Sequence, residues 1–247
     1  MVNSHIQALN PSTHKDLKLN VDPLFTYTKT IQFTPLHVNE FAPASTCYPI
    51  YFIKDRATGK LFSVALFGLE EKENLFYGDT QWRASYVSES MQCWPFTMAK
   101  TSDNQWSPHI DTSSPLLSND QGQPLYNSGR PSETLNTTLQ RLKQTYEQKL
   151  QSMAFIEWLL EFKLLKPVRL GMKYSSGEKS IINGMYSIDA SALQQLPPDA
   201  LSLGHQHGYL APTYTLLASH YNLYDLIRLK KTFSKRPIST LQLIENE

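Results

Sequence analysis

The sequence predicts an α+β fold: an N-terminal, mainly antiparallel β-sheet lobe, then a helix-rich lobe with one long helix and a small β-hairpin. Two observations carry this. Between Phe25 and Ile110, short segments rich in aromatic and β-branched residues follow one another closely, the pattern of strands joined by hairpins and not of alternating strand and helix. From Ser132 onward the apolar repeat becomes alternating steps of three and four residues, the period of an amphipathic helix.

In chain order, residues 1–23 are polar and read as a flexible lead-in. Residues 24–112 form the β-rich lobe, with strand-like segments FTYTKTIQF, YPIYFI, LFSVALFGL, NLFY, WRASYV and WSPHI. Asp55 and Gly59 in DRATGK suit a hairpin connection. Residues 113–131, rich in Ser, Pro, Gly and Asn, read as a connection between lobes.

Residues 132–231 form the helical lobe. Its long helix, over Thr134 to Phe162, carries the stripe Leu135, Leu139, Leu142, Tyr146, Leu150, Met153, Ile156 and Leu160, with Ser132 as N-cap and Pro167 as a stop. The stripe reads as a core seam in preference to a partner-binding face, with Leu216, Leu217, Leu223, Leu226 and Ile227 as its cover. VRLGMKY and KSIINGMYSI flank SSGE, a hairpin with Gly177 at the turn. Asp189 caps a short helix, Asp199 caps another ending at Gly208, and a final helix runs from Pro212 to Lys231. Residues 232–247 read as a loose tail.

A chain of 247 residues can bury a sizeable core, and a net charge of +1 points to neither nucleic acid nor an anionic membrane as partner. No apolar run reaches the roughly 20 residues of a membrane span. The N-terminus lacks the charged start and apolar run of an export signal, and the two cysteines, Cys47 and Cys93, sit at no ligand spacing. A cytoplasmic protein with two free thiols is expected. The 13 Tyr, 11 Phe and 4 Trp suit interfaces as well as cores.

Chemistry-bearing residues are sparse. Asp111, beside Ser113 and Ser114, reads as an Asx turn at a strand end, with an acid/base role as the alternative. His205 and His207 near a helix end point to different faces and read as C-terminal dipole partners; no metal is expected. Glu70, Glu71 and Glu73 read as a solvated loop, and the basic run RLKKTFSKR as a solvated helix end. No glycine-rich phosphate loop occurs, and no cofactor is expected. Trp82, Tyr86, Trp94, Phe96 and Trp106 fall in one expected lobe and read as core or as a face for a peptide; Trp82, Trp94, Phe96 and Trp106 are the candidate contacts. Two functions follow. One is a non-catalytic protein that binds a peptide or protein; the alternative is an enzyme with an inter-lobe site using Asp111 with His205 or His220.

The ordered series CYPIYF, ALFGL, ENLFYGDTQW, YVSESMQCWPF and IDTSSP, then LLEFKLLKP, INGMYSIDASALQQLP, HQHG and YLAPTYTLLASHYNL, resembles the SapC family over roughly Val38 to Leu229. The resemblance implies a bacterial, surface-layer-associated lineage with no settled chemistry. It also implies an accessory role in a peptide or natural-product system, with a flavin halogenase or cupin-like enzyme as the kind of partner. The chain departs from the family where a basic pair precedes the Tyr-Pro-Phe step. Here Gln92, Cys93 and Trp94 precede Pro95 and Phe96, so an anion-binding role for that pair does not carry over.

Overall fold

Strand and helix signals alternate irregularly along the chain, and in the computed structural model, which describes residues 5–100, 103 and 105–245, they fold as two units. Strand β1 (Ile6–Ala8), helix α1 (Pro11–His14) and β2 (Lys18–Leu19) come first, followed by β3 (Phe33–Pro35), α2 (Phe41–Ala44), β4 (Ile50–Lys54) and β5 (Leu61–Leu66). Helix α3 (Glu89–Cys93), β6 (Phe96–Lys100) and β7 (Trp106–Asp111) precede four two-residue strands: β8 (Leu117–Ser118), β9 (Gln123–Pro124), β10 (Tyr126–Asn127) and β11 (Arg130–Pro131). The long helix α4 (Glu133–Glu161) leads to the hairpin of β12 (Leu165–Tyr174) and β13 (Lys179–Ile188). Helices α5 (Ala190–Gln194), α6 (Pro198–Gln206), α7 (Leu210–Ser219) and α8 (Leu223–Phe233) follow, and β14 (Ile238–Glu245) closes the chain. The α+β class stands as expected.

Unit 1 comprises residues 1–27 and 89–147. Its antiparallel sheet has the order β1-β7-β6, and β2 pairs with both β8 and β9. The lead-in, in its described residues 5–23, is therefore structural: β1 pairs with β7, and Leu9, Leu17 and Leu19 pack on the core. Residues 1–4 lie outside the described residues. The expected connection 113–131 is likewise built into the unit, since Leu117 packs on the core and Leu125 is fully buried within it. Loop-like composition hid both segments, because their anchors are single leucines set among polar residues. Phe96 and Ile110 on one face of the sheet join Leu135 and Leu142 of α4 in this core.

Unit 2 comprises residues 28–88 and 148–247, around a six-stranded antiparallel sheet of order β14-β12-β13-β4-β5-β3. The β12–β13 hairpin is not an appendage of a helical lobe: Met185 and Tyr186 of β13 pair with Ile53 and Phe52 of β4. The expected loose tail is strand β14, paired with β12 along Val168 to Tyr174; residues 246–247 lie outside the described residues. NLFY and WRASYV form no strand. In β4, Ile50, Tyr51 and Phe52 are all buried, so both faces of the sheet centre are covered. Alternate residues face opposite ways: Phe52 meets Phe155 of α4 at 6.4 Å between ring centroids, and Tyr51 stacks on His220 at 4.8 Å. Truncating either buried ring costs on the order of 3–5 kcal/mol.

Local signals were read correctly at several ends. Asp55 Oδ1 accepts from the Ala57 and Thr58 N–H groups in the β4–β5 turn, where Gly59 has φ +69. Ser132 Oγ accepts from Leu135 N–H at the start of α4, and Asp189 caps α5 through Ser191 and Ala192 N–H. The expected final helix is instead two, α7 and α8, joined by a 3₁₀ turn over His220–Asn222. There the Asn222 side chain donates to the carbonyls of Ser45 and Tyr48, contacts that a straight helix would misplace.

The α4 seam departs from its expected course. Leu135, Leu142 and Ile156 are buried, but Leu150, Met153 and Leu160 are exposed. The buried face runs instead through Gln148, Ser152, Phe155, Trp158 and Leu159. Ser152 Oγ accepts from Val38 N–H at 2.8 Å and donates to the Gln148 carbonyl at 2.8 Å, so a polar residue occupies a seam position with its hydrogen bonds satisfied. The packing partners of this half are Phe41, Phe52 and Tyr209, where the C-terminal leucines were expected. Leu216 and Leu226 are buried elsewhere, with α7 lying on β4 and β13. Among the described residues no helix is long and apolar enough to cross a membrane, and Cys47 and Cys93 are both free thiols.

Candidate functional site

The residues proposed for acid/base chemistry do not meet within either unit. Asp111 ends β7 in unit 1, and its Oδ1 accepts from Ser113 N–H at 3.0 Å and from Ser113 Oγ–H at 2.6 Å, the Asx turn that the sequence suggests. His205 and His220 belong to unit 2. His205 is exposed on α6 beside a shallow apolar cavity of about 390 Å³ that includes Leu201 and Leu210. His220 is clamped between the Tyr51 ring and Ser187, whose Oγ lies 3.3 Å from Nε2.

The candidate aromatics are spread over both units, which corrects their assignment to one lobe: Trp82 lies in unit 2, and Trp94, Phe96 and Trp106 lie in unit 1. Phe96 is core. Trp94 sits in the turn after α3, outside the strand, and stacks on Tyr27 at 4.0 Å. Tyr27 in turn donates to the Met91 carbonyl at 2.8 Å, and burial raises its phenol pKa. Trp106 begins β7, tilted against Tyr146 at 4.9 Å with the Lys100 ammonium 5.7 Å from its ring. It is 37% exposed.

Trp82 belongs to a hydrogen-bonded chain that joins three of the sequence motifs, ENLFYGDTQW, CYPIYF and YVSESMQCWPF. Its Nε1–H donates to Tyr48 Oη at 3.1 Å, Tyr48 Oη–H donates to the Tyr86 carbonyl, and Tyr86 Oη–H donates to Glu40 Oε1 at 2.8 Å. Glu40, buried, accepts from His37 N–H through its other oxygen. This chain fastens residues 82–86 to residues 37–48. Beside it, Cys47 Sγ lies 3.0 Å from Ser85 Oγ and 3.3 Å from Thr46 Oγ1. Burial by itself would raise this thiol's pKa. Hydrogen bonds from the Ser85 and Thr46 side chains and from the Ser85 and Tyr86 backbone outweigh it and hold the thiol below its ordinary value.

Two regions read from sequence as solvated form a charge cluster around one buried lysine. Lys230 on α8 has no solvent exposure, and its Nζ donates to Glu70 at 2.7 Å and to Glu73 at 2.5 Å. Arg236 reaches Glu70 at 3.1 Å and Glu178 at 2.6 Å, with its guanidinium 4.4 Å from the Tyr174 ring. Burial, then a hydrogen bond to Glu70, pushes the Tyr174 phenol up to about 12. The loop carrying the two glutamates is tightly wound: a Cβ on Gly68 would stand 2.0 Å from the Glu73 carbonyl oxygen. Glu71 and most of the basic run remain exposed, as expected. The cluster is complete in its ion pairs and clamps a loop to a helix.

Unit 2 also presents an aromatic stripe to solvent. Along α7, the 3₁₀ turn and α8, the inward positions Thr213, Leu216, Ser219, Leu226 and Leu229 are buried. On the opposite phase, Tyr214, Tyr221 and Tyr224 are 55%, 76% and 72% exposed. Arg228 and Lys231 continue the same outer stripe, with Arg228 3.0 Å from Asp225. The helical phase of YTLLASHYNLYDLIRLKK carries this signal, since each tyrosine falls between the buried positions. The tryptophans, the expected contacts, lie outside this stripe.

A family model described as SapC matches residues 9–226 of the chain. No curated protein and no solved structure matches it.

Proposed function

The chain belongs to the SapC family, and from that premise we propose that it is a non-catalytic accessory protein that docks a protein or peptide partner on the tyrosine stripe of α7 and α8. One observation carries this reading: Tyr214, Tyr221 and Tyr224 are each more than half exposed within eleven residues, although the same helices bury the residues on their other side. Tyrosine supplies a large apolar ring with a polar tip at little entropic cost, and it is enriched among the residues that dominate binding energy. Arg228 and Lys231 at the end of the stripe suit an acidic margin on the partner. An accessory role beside a tailoring enzyme in a peptide or natural-product system fits such a surface.

The test places a photo-crosslinking residue at position 221, with a control at exposed Val21, in cells that naturally make the protein. A discrete adduct at 221 and not at 21 is expected. The captured partner, purified, should then bind the wild-type chain and lose affinity by at least about tenfold with Tyr214, Tyr221 and Tyr224 all changed to alanine. No adduct, or a reconstituted complex indifferent to the triple change, would overturn the reading.

A further inference from the structure

The six-stranded sheet of unit 2 ends in two edges that differ in kind. Strand β3 is three residues long and closes on Pro35, and brevity and proline are two common ways of blunting a free edge. Strand β14 has neither: ISTLQLIE runs for eight residues with no proline, lysine or arginine. Its register shift against β12 falls at the start, between Lys173 and Tyr174, and Thr240 to Ile244 pair regularly with Lys173 to Arg169. Among the described residues β14 pairs with β12 alone. About every second residue of such a strand directs its N–H and C=O outward, where another strand can meet them.

Leu241 and Leu243 lie opposite Met172 and Leu170, both buried, and so belong to the core face; at the edge they are themselves only half-buried. Thr240 and Gln242, on the other face, are exposed. A Cβ on Gly171 would stand 2.8 Å from Ile244 Cδ1, so the glycine lets this side chain lean over β12 and away from the edge. Residues directly opposite in an antiparallel pair share a face, so two copies of β14 can pair only about an axis through a residue. Centred on Gln242, Leu241 of each copy stands opposite Leu243 of the other, and Thr240 opposite Ile244. From Ile238 to Ile244 the strand carries no charge, so no like charges meet, and a charged foreign strand would find nothing to pair with. Lys173 of one copy and Arg169 of the other stand three strand spacings apart, about 14 Å, beyond the screening length of about 8 Å. We infer that two copies of this chain associate through antiparallel β14 edges centred on Gln242, joining their six-stranded sheets into one. Edges about 24 Å long and one sheet, about 10 Å, deep bury roughly 500 Å² in all. That is below the roughly 1,000 Å² of a stable interface, so the association is weak and concentration-dependent. The inference goes beyond the tyrosine-stripe reading and shares none of its residues.

Sedimentation velocity of the full chain, from about 1 to 500 µM, should show monomer passing to dimer and no larger species, because a two-fold edge pair closes on itself. Gln242 is exposed, so Gln242→Lys and Gln242→Glu keep the fold, and at the axis each new charge faces its own copy. Either variant alone should dimerise about fivefold more weakly or worse, since like charges directly opposite are unfavourable. An equimolar mixture of the two should recover the wild-type affinity or exceed it. A chain that stays monomeric at the highest concentration, a dimer indifferent to both changes, or a mixture no tighter than its parts would overturn the inference. The triple tyrosine-to-alanine variant should dimerise as the wild type does; loss of the dimer there would place the contact on α7 and α8 and overturn it as well.

Discussion

The Lys230 ammonium on α8 lies 2.7 Å from the Glu70 carboxylate, with no solvent reaching the lysine side chain. The two residues are 160 positions apart, and Glu73 completes the site. Because the lysine is buried while both glutamates keep partial exposure, the two sides of the pair are unequal. Removing one glutamate leaves a buried cation with one carboxylate in place of two, whereas removing the lysine leaves carboxylates that water can reach. Glu73→Gln is therefore expected to destabilise by about 3 kcal/mol and Lys230→Met by less, about 1–2 kcal/mol. The double variant should recover part of the Glu73→Gln loss. Urea unfolding of the three variants checks the order, and a larger loss for Lys230→Met than for Glu73→Gln would contradict it.

Acid should act first through His37. Burial, with Lys149 nearby, lowers its pKa to about 4 from 6.5. The unfolded chain therefore binds a proton between those values that the folded chain refuses, and stability falls as pH drops from about 6.5 towards 4. The contribution is about 3 kcal/mol. Glu70 adds a second loss at lower pH: hydrogen bonds and charge from Lys230, Tyr174 and Arg236 outweigh its burial and depress it below its ordinary value of 4.5. Its stabilisation is full above that value and disappears as pH falls through the depressed one. Denaturant midpoints from pH 7.5 to 4.5 should fall less in His37→Asn than in the wild type, and parallel curves would exclude this account.

Neighbouring leucines near the end of α4 should respond in opposite ways. Leu159 is fully buried and Leu160 is 50% exposed. Leu159→Ala is expected to cost about 2–5 kcal/mol, and Leu160→Ala about 0.5 kcal/mol or less. Ser152→Ala, which leaves Val38 N–H without its acceptor, should cost about 1–2 kcal/mol. Thermal melts of the three variants suffice, and a large effect at Leu160 would restore the seam that the apolar pattern implied.

The two thiols should differ in reactivity. Cys47 is held below the ordinary thiol pKa by its donors, and Cys93 is 2% exposed within the unit 1 core. Iodoacetamide at neutral pH, followed by peptide mass mapping, should label Cys47 first. Ser85→Ala should slow that labelling at pH 7 and bring it closer to the wild-type rate as pH rises. Faster labelling of Cys93 would show that access, and not thiolate content, governs both.

Legibility in the sequence followed range. The β4–β5 turn at Asp55 and Gly59, the Ser132 cap and the Asp189 cap depend on residues within a few positions of one another, and all were readable. Strand β14 was not, because ISTLQLIE is a modest strand former whose partner, β12, lies some seventy residues earlier. Lys230 read as solvated because lysine nearly always is; its burial depends on Glu70 and Glu73 at the far end of the sequence. Within α4, counting apolar residues led to Leu150 and Leu160, while the buried face accepted Ser152 because Val38 supplied a donor. As for the sites, the tyrosine stripe was present in the helical phase, but the free edge of β14 was not. Which side of that strand stays unpaired depends on β12, far back in the chain, and no local pattern announces it.

The six-stranded sheet also sets a timetable for synthesis. A ribosome releases β4 and β5 early, yet β13, which closes the open side of β4 through Met185 and Tyr186, is made roughly a hundred residues later. At the usual pace of translation that interval is on the order of ten seconds. For its duration the nascent chain carries Ile50, Tyr51 and Phe52 beside an unpaired backbone edge, which neighbouring chains on the same messenger can also pair with. Yield in a heterologous host should therefore depend on how crowded the polysome is, and sparse initiation should favour soluble product over aggregate.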